Sequence, residues 1–490
     1  MADEIFLDNL NSTPVSEIKF LNEEWAYIVD SNNNGYTSNQ IVFNTQNLAS
    51  NDAYFLWSEA VLVLPTVTQV KAYCLNTVGG GGGTPLDSTF TQVDCAIVPK
   101  SGSHNWVSKM QITADGKEIT CVVDGINEIA NAKLLMETSS SGLNKNGAFR
   151  NFYPDTSNSW KYSTDVAGQV VQGYSNNRLR NDNVITAYDT VFNNAAINYG
   201  LQKRAIQACE AVANPNLTAI TGVAVNAASV CKNVSVFDTV NHTALYSVNT
   251  VCIPLKDISE FHKNLNFPIK NLSQELKFTL NTGTFTSTVY QTAANQAGFT
   301  YIKPTSQIAG GTTCPVMLTD AFLTMLNTRF NVGGTNPAIA APSIAGSVTL
   351  TCAVGTTLTS PTGGFSVAPH LTQARIYVPY VKFAPTYVPA DKQKRVKFLE
   401  YNIASPILNA GGVGVTLNYS LGNTYKNVKR VFMLCYVSSA VASQGVSTLL
   451  SPYADGNPQA AWFTAEQLSL NNVPFSRCAT NYLFETFRKN

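Results

Sequence analysis

Asp115-Gly116 stands between two runs of alternating polar and apolar residues, 110–114 and 117–121. Glycine takes positive φ without steric cost, and a two-residue turn between antiparallel strands demands such a residue. This hairpin commits the middle of the chain to antiparallel sheet, and the segments around it carry the same signature. Residues 40–44 are short and β-rich. Residues 54–70 are long, apolar and β-branched, and Pro65 within them predicts a bend or an edge position. Residues 273–280 alternate again. A second β-rich region follows, with strands predicted over 373–383, 394–401, 413–419 and 429–437, separated by turn clusters such as Asn409-Ala410-Gly411-Gly412.

Helical signals are few. Ile126, Ile129, Ala130 and Leu134 recur at helical spacing, so 125–136 reads as a short helix. Asp257 stands three places before Glu260, like a capping box, and starts another. Residues 201–212 and 319–329 are further helix candidates. Many strands, long loops and few helices predict an all-β chain of sandwiches or jelly rolls. No strict repeat is present, which argues against solenoids and propellers.

The chain has 490 residues and 44% hydrophobic content, enough for two large β-domains. Only 13% of residues are charged, about half the usual share. Interface cores are depleted in charge and enriched in aromatics, so this balance suits a surface covered by copies of itself. It also suits a secreted, loop-rich β-protein with an uncharged polar surface. The net charge is +1 and the start, Met1-Ala2-Asp3-Glu4, is acidic. Condensing nucleic acid takes about one cation per neutralised phosphate, so strong direct nucleic-acid binding is not expected. No apolar run of about 20 residues occurs and no signal peptide is visible. The ten cysteines are scattered singly, with no C-x-x-C pair, and buried free thiols are expected.

Signals for chemistry are weak. His104, His242, His262 and His370 lie far apart, in no metal-ligand spacing. There is no G-x-S-x-G elbow and no Walker sequence. The glycine run 79–83 is followed by Thr84-Pro85 rather than by Lys and Ser or Thr, and reads as a surface loop. Glu23-Glu24 and Asp87/Asp94 have no acid/base context. The basic cluster Lys392, Lys394, Arg395 and Lys397 reads as a solvated loop. Sequons at Asn11, Asn216, Asn233, Asn241, Asn271 and Asn418 follow from an Asn/Ser/Thr-rich composition. No catalytic, cofactor-binding or metal residue is assigned, no cofactor is expected, and the chain is not expected to be an enzyme.

Three segments carry a family resemblance. Residues 40–45 lead to Trp57-Ser58-Glu59-Ala60-Val61-Leu62-Val63-Leu64-Pro65. Asn105-Trp106-Val107 precedes the 110–119 hairpin and then the 127–136 helix. Residues 253–262 run into Leu276-Lys277-Phe278-Thr279-Leu280-Asn281. In this order they resemble the major capsid proteins of polinton-like viruses and virophages. The resemblance is chiefly to residues 40–282; the second half is similar in character. It implies a double jelly roll, with an arm over 1–39, a first jelly roll over 40–282 and a second over 283–490. The chain stops at 486–490 in what reads as mid-element, so the second roll is expected to be short of strands or finished by another subunit. The resemblance further implies a homotrimer that imitates a hexamer and tiles an icosahedral shell. Its partners would be neighbouring trimers, penton and minor capsid proteins, with assembly inside a host cell and residence in the virion. Membrane contact stays open.

Two readings compete. A carbohydrate- or surface-binding β-sandwich adhesin would use aromatics such as Trp106, Trp160 or Trp462 for stacking. A glycoside hydrolase on a β-scaffold would need two facing carboxylates in a cleft.

Overall fold

The computed structural model describes residues 20–31, 39–49, 52–74, 97–154, 233–238, 242–291, 300–304, 314–318, 343–356, 373–383 and 395–401. A few isolated positions are also described: 200, 203, 204, 358, 359, 366, 367, 371, 428, 429, 469, 470, 473 and 474. The longer strands are β1 (Phe20–Val29), β2 (Gln40–Asn44), β3 (Val61–Cys74), β4 (Val107–Ala114), β5 (Lys117–Asp124) and β6 (Asn233–Asp238). They continue with β7 (His242–Pro254), β8 (Gln274–Leu280), β9 (Gly283–Gln291), β10 (Thr300–Pro304), β11 (Ser343–Val354) and β12 (Arg375–Phe383). The helices are short: α1 (Gln46–Ala49), α2 (Ile126–Glu137), α3 (Ser140–Arg150), α4 (Leu255–Ile258) and α5 (Glu260–Asn264).

Eight strands make two antiparallel sheets. One runs β1-β12-β3-β7 and the other β2-β8-β4-β5. Counted along the chain, these orders are 1-8-3-6 and 2-7-4-5, the strand order of a jelly roll. The fold is therefore an all-β jelly-roll sandwich with short helices in its connections. Its eighth place is filled by β12. The strand pairing of this sandwich thus runs past residue 282, the expected end of the first domain. Residues 283–374 enter between the seventh and eighth strands, and β9, β10 and β11 from this stretch extend the β3 sheet. Alternation alone could not assign β12 to the earlier sheet, because its inward residues suit either half of the chain.

The inner faces follow from period two. In β8, Gln274, Leu276, Phe278 and Leu280 are buried while Glu275, Lys277 and Thr279 are half-buried. Phe278 meets Phe43 of β2 edge-on, with centroids 6.1 Å apart. Leu62 and Leu64 of β3 and Ile376 and Val378 of β12 join the same cluster from the opposite sheet. Each side chain of this size contributes about 1.5–3 kcal/mol on burial. The hairpin turn is as predicted: Asp115 and Gly116 take φ of 48° and 75°, as a turn with two left-handed residues requires.

Pro65 departs from expectation. It lies neither at a bend nor on an edge but inside β3, opposite Thr250 of β7. The far side of β3 is shared, with β12 pairing up to Val63 and β11 pairing from Thr66 onward. The Pro65 carbonyl accepts from Gly355 N–H at 2.8 Å on that side. In an antiparallel strand a residue's N–H and C=O point to the same side. The missing N–H therefore faces the seam between two partner strands, where it breaks no ladder.

Other expectations are corrected by the pairing. The lead-in expected over 1–39 contains β1, because Ala26 and Ile28 alternate inward against the core while Trp25 and Tyr27 face out. Residues 395–401 form no strand; they pass beside α5, with Val396, Phe398 and Tyr401 against the core. Asp257 does not cap. Ser259 does, its Oγ accepting from His262 N–H at 3.3 Å at the start of α5. Replacing Ser259 with Ala is expected to cost about 1 kcal/mol, read as a lowered urea midpoint with unchanged slope. The α2 helix forms as predicted. The predicted strands over 413–419 and 429–437 and the predicted helices over 201–212 and 319–329 lie outside the described residues, save for 203, 204 and 429.

Candidate functional site

The outer face of β1 carries the largest exposed side chains of the sandwich. Trp25 and Tyr27 are 57% and 54% exposed. They are two residues apart, so both project from the same side of the strand. Across the register, Trp25 faces Pro379 and Tyr27 faces Tyr377. The rings of Tyr27 and Tyr377 lie 5.8 Å apart. The Arg375 guanidinium lies 4.9 Å from the Tyr27 ring centre and donates to Tyr377 Oη at 3.3 Å. The result is a rigid aromatic shelf with a cation held against it. Among the described residues β1 pairs only with β12, so the shelf borders a sheet edge. Rigid aromatics lose little entropy on binding and are enriched at contacts between proteins.

The histidines form no site with carboxylates. His104 is buried in the turn before β4, and its Nε2 lies 2.6 Å from Asn131 Oδ1 of α2. Asn131 Nδ2 donates to Asn105 Oδ1 at 3.1 Å, and Asn281 Nδ2 donates to the Asn105 carbonyl at 2.7 Å. This chain ties the turn, α2 and the end of β8 together. The ring sits over Gly102, whose φ is 91° and where a Cβ would come within 2.0 Å of it. His262 is buried in α5 between Ser259 Oγ at 2.9 Å and Gln274 Oε1 at 3.0 Å. Burial pushes both imidazoles down to about 4. They act as neutral hydrogen-bonding struts.

A second polar group binds the helices. Lys133 of α2 pairs with Glu260 of α5, both nearly buried, and Tyr401 Oη donates to Glu260 Oε1 at 2.8 Å. Arg150 Nε lies 3.1 Å from Asp257 Oδ2. Burial raises the Asp257 carboxyl despite that partner. Burial also works against Glu260, but Lys133, Tyr401 and Lys263 outweigh it and hold its pKa low.

The remaining candidates do not converge. Trp106 is 2% exposed and packs in the core, which removes it as a stacking platform. Glu23 and Glu24 are exposed on β1, and Glu24 accepts from Tyr380 Oη. Arg395 and Lys397 are exposed, while Lys392 and Lys394 lie outside the described residues. Asn271 is exposed and Asn233 lies in β6. His370, Asp87, Asp94, Trp160, Trp462, the glycine run and the other four sequons also lie outside the described residues, and His242 lies in β7. Among the described residues no three His, Cys, Asp or Glu side chains gather as a metal site would require. The aromatic shelf escaped the sequence reading because the first 39 residues were taken together. The signal was present in residues 24–28, where Trp and Tyr alternate with Ala and Ile.

No family model matches the chain, and no curated protein matches it. Among solved structures, a chain from the cryo-EM structure of the Sputnik virophage is similar, with a TM-score of 0.35 and 10% identity. The match covers 76% of this chain and 50% of that one, so the chain spans about half the length of that relative.

Proposed function

We propose that the chain is a structural subunit of a viral shell, a major capsid protein whose copies associate into trimers and then into an icosahedral lattice. The observation that carries this reading is the jelly-roll strand order with an exposed aromatic strand at the edge of one of its sheets. The scarcity of charged side chains supports it. In this reading the second sandwich is nested in the first. It grows from the β11-β9-β10 extension of β3. Neighbouring trimers, penton and minor capsid proteins would be the partners, the virion the location, and containment the function, with no catalysis.

Solution mass tests the proposal. Purified protein is expected to sediment as a trimer or as shells at micromolar concentration. Replacing Trp25 and Tyr27 together with Ala should weaken association at least about tenfold, as loss of central aromatics does. Folding stability should fall by about 1–2 kcal/mol, the cost of the cross-strand Tyr27–Tyr377 and Arg375 contacts. A strictly monomeric parent would overturn the proposal. The exposed shelf also favours a second reading, a sugar-binding adhesin, since aromatic rings with a nearby cation stack on pyranosides. That reading expects a monomer whose Trp25 fluorescence responds to glycans.

A further inference from the structure

Beneath β3 the sandwich buries two thiols in contact. Cys314 and Cys352 are 1% and 2% exposed, both are free, and their side chains are hydrogen-bonded to each other. They come from separate elements. Cys352 is in β11, opposite Thr68 of β3. Cys314 precedes the short strand Val316–Leu318, which pairs with Ile97–Pro99, and its Sγ lies 3.2 Å from the Val316 carbonyl oxygen. Lys100 is buried beside them, its backbone N–H donating to the Pro315 carbonyl at 3.0 Å.

The surroundings make the two sulfurs unequal. Burial works against ionising Cys314, but the hydrogen bond from Cys352 and the positive charge of Lys100 outweigh it and lower its pKa. Burial and the neighbouring sulfur push Cys352 up. Cys314 would be the attacking sulfur and Cys352 its resolving partner; because both are buried, an oxidant reaches them through local opening of the Val316–Leu318 ribbon.

We propose that Cys314 and Cys352 are a dithiol that closes to a disulfide on oxidation, tying β11 to the Ile97–Pro99/Val316–Leu318 ribbon. With hydrogen peroxide as oxidant, the Cys314 thiolate attacks one peroxide oxygen. The O–O bond breaks, hydroxide leaves, and Cys314 becomes a sulfenic acid. Cys352 sulfur then attacks the Cys314 sulfur; the S–O bond breaks, the S–S bond forms, and the thiol proton leaves with the oxygen as water. In sum, two thiols and one peroxide give one disulfide and two waters. The disulfide requires the two sulfurs to close to about 2.05 Å. The bridge closes the long segment 314–352, so it constrains the unfolded chain strongly. For a shell assembled in a reducing cell and released into an oxidising medium, the closure would be a lock set after release. The pair's chemistry itself does not depend on assembly.

The test uses the full-length native chain, unassembled, treated with peroxide, then alkylated in denaturant and digested without reduction. The expected product is a linked peptide containing Cys314 and Cys352, lighter by two hydrogens than its parts and split by dithiothreitol. The melting midpoint should rise by roughly 2–4 °C on oxidation and fall back on reduction. The rise should be absent in Cys352→Ser and in Cys314→Ala; the reversal in the unsubstituted protein needs neither variant to fold. Recovery of both residues in alkylated form, or of Cys314 as a sulfinic or sulfonic acid beside an alkylated Cys352, would overturn the proposal.

Discussion

Acidifying the protein from pH 7 to pH 4 is expected to remove about 5–6 kcal/mol of folding stability through His104 and His262 alone. Each imidazole ionises near 6.5 in the unfolded chain and near about 4 in the fold. The difference is worth about 3 kcal/mol per group. Burial is the first cause in both cases. The Arg150 charge adds to it at His104, and the hydrogen bonds to Asn131 and Gln274 oppose it. The sign follows from proton uptake. Above pH 6.5 both forms are neutral and stability is flat. Between 6.5 and 4 the unfolded chain takes protons that the fold refuses, so stability falls by about 1.4 kcal/mol per pH unit for each histidine. Below 4 the fold is protonated too and this loss stops. Urea unfolding at pH 7, 6, 5.5 and 5 checks it, above the ordinary carboxylate range; Asp257, whose carboxyl burial raises, opposes the trend. His104→Gln keeps a donor toward Asn131, and in that variant the slope should halve. An unchanged slope would show that His104 already exchanges with solvent.

Residues with local reasons for their conformation were legible in the sequence. Asp115-Gly116 needs only itself to make a turn, and 126–137 needs only its own period to make a helix. Residues 274–280 show their inner face by alternation. What stayed hidden depends on partners far along the chain. Nothing within 375–383 says that it closes a sheet opened by 20–29, since a strand with Ile376 and Val378 inward fits any apolar face. Pro65 could not be placed without knowing that its neighbour strand changes at that residue. Asp257 read as the cap; in the fold it pairs with Arg150, and Ser259 accepts the His262 N–H instead. The aromatic shelf is of the same kind. Trp25 and Tyr27 announce an exposed face only once Ala26 and Ile28 are known to meet the core.

Replacing Lys133 with Met is expected to cost about 3–5 kcal/mol, the usual penalty for stranding one partner of a buried ion pair. Glu260 would keep Tyr401 as a donor and Lys263 at 4.0 Å, so the lower end of that range applies. Changing Glu260 to Leu instead leaves the buried ammonium donating to the Lys256 carbonyl at 3.4 Å, and the penalty belongs at the upper end. Making both changes should cost far less than their sum, because an apolar pair removes both desolvated charges at once. A denaturation cycle over the four proteins measures this coupling, expected at 2 kcal/mol or more by the same reasoning, roughly. A second readout isolates electrostatics from packing. With Lys133 gone, burial is opposed by weaker partners, so the Glu260 carboxyl should rise, and the Lys133→Met protein should lose less stability than its parent on acidification, the two converging at low pH. The pair matters beyond its own energy because three separate stretches meet there: α2 from the connection after β5, α5 from the connection before β8, and Tyr401 from the segment that leaves β12. If the cycle instead proves additive, these stretches are joined by packing of Phe261 on Phe398, whose rings lie 5.5 Å apart, and the ion pair contributes little to holding the outgoing chain against the sandwich.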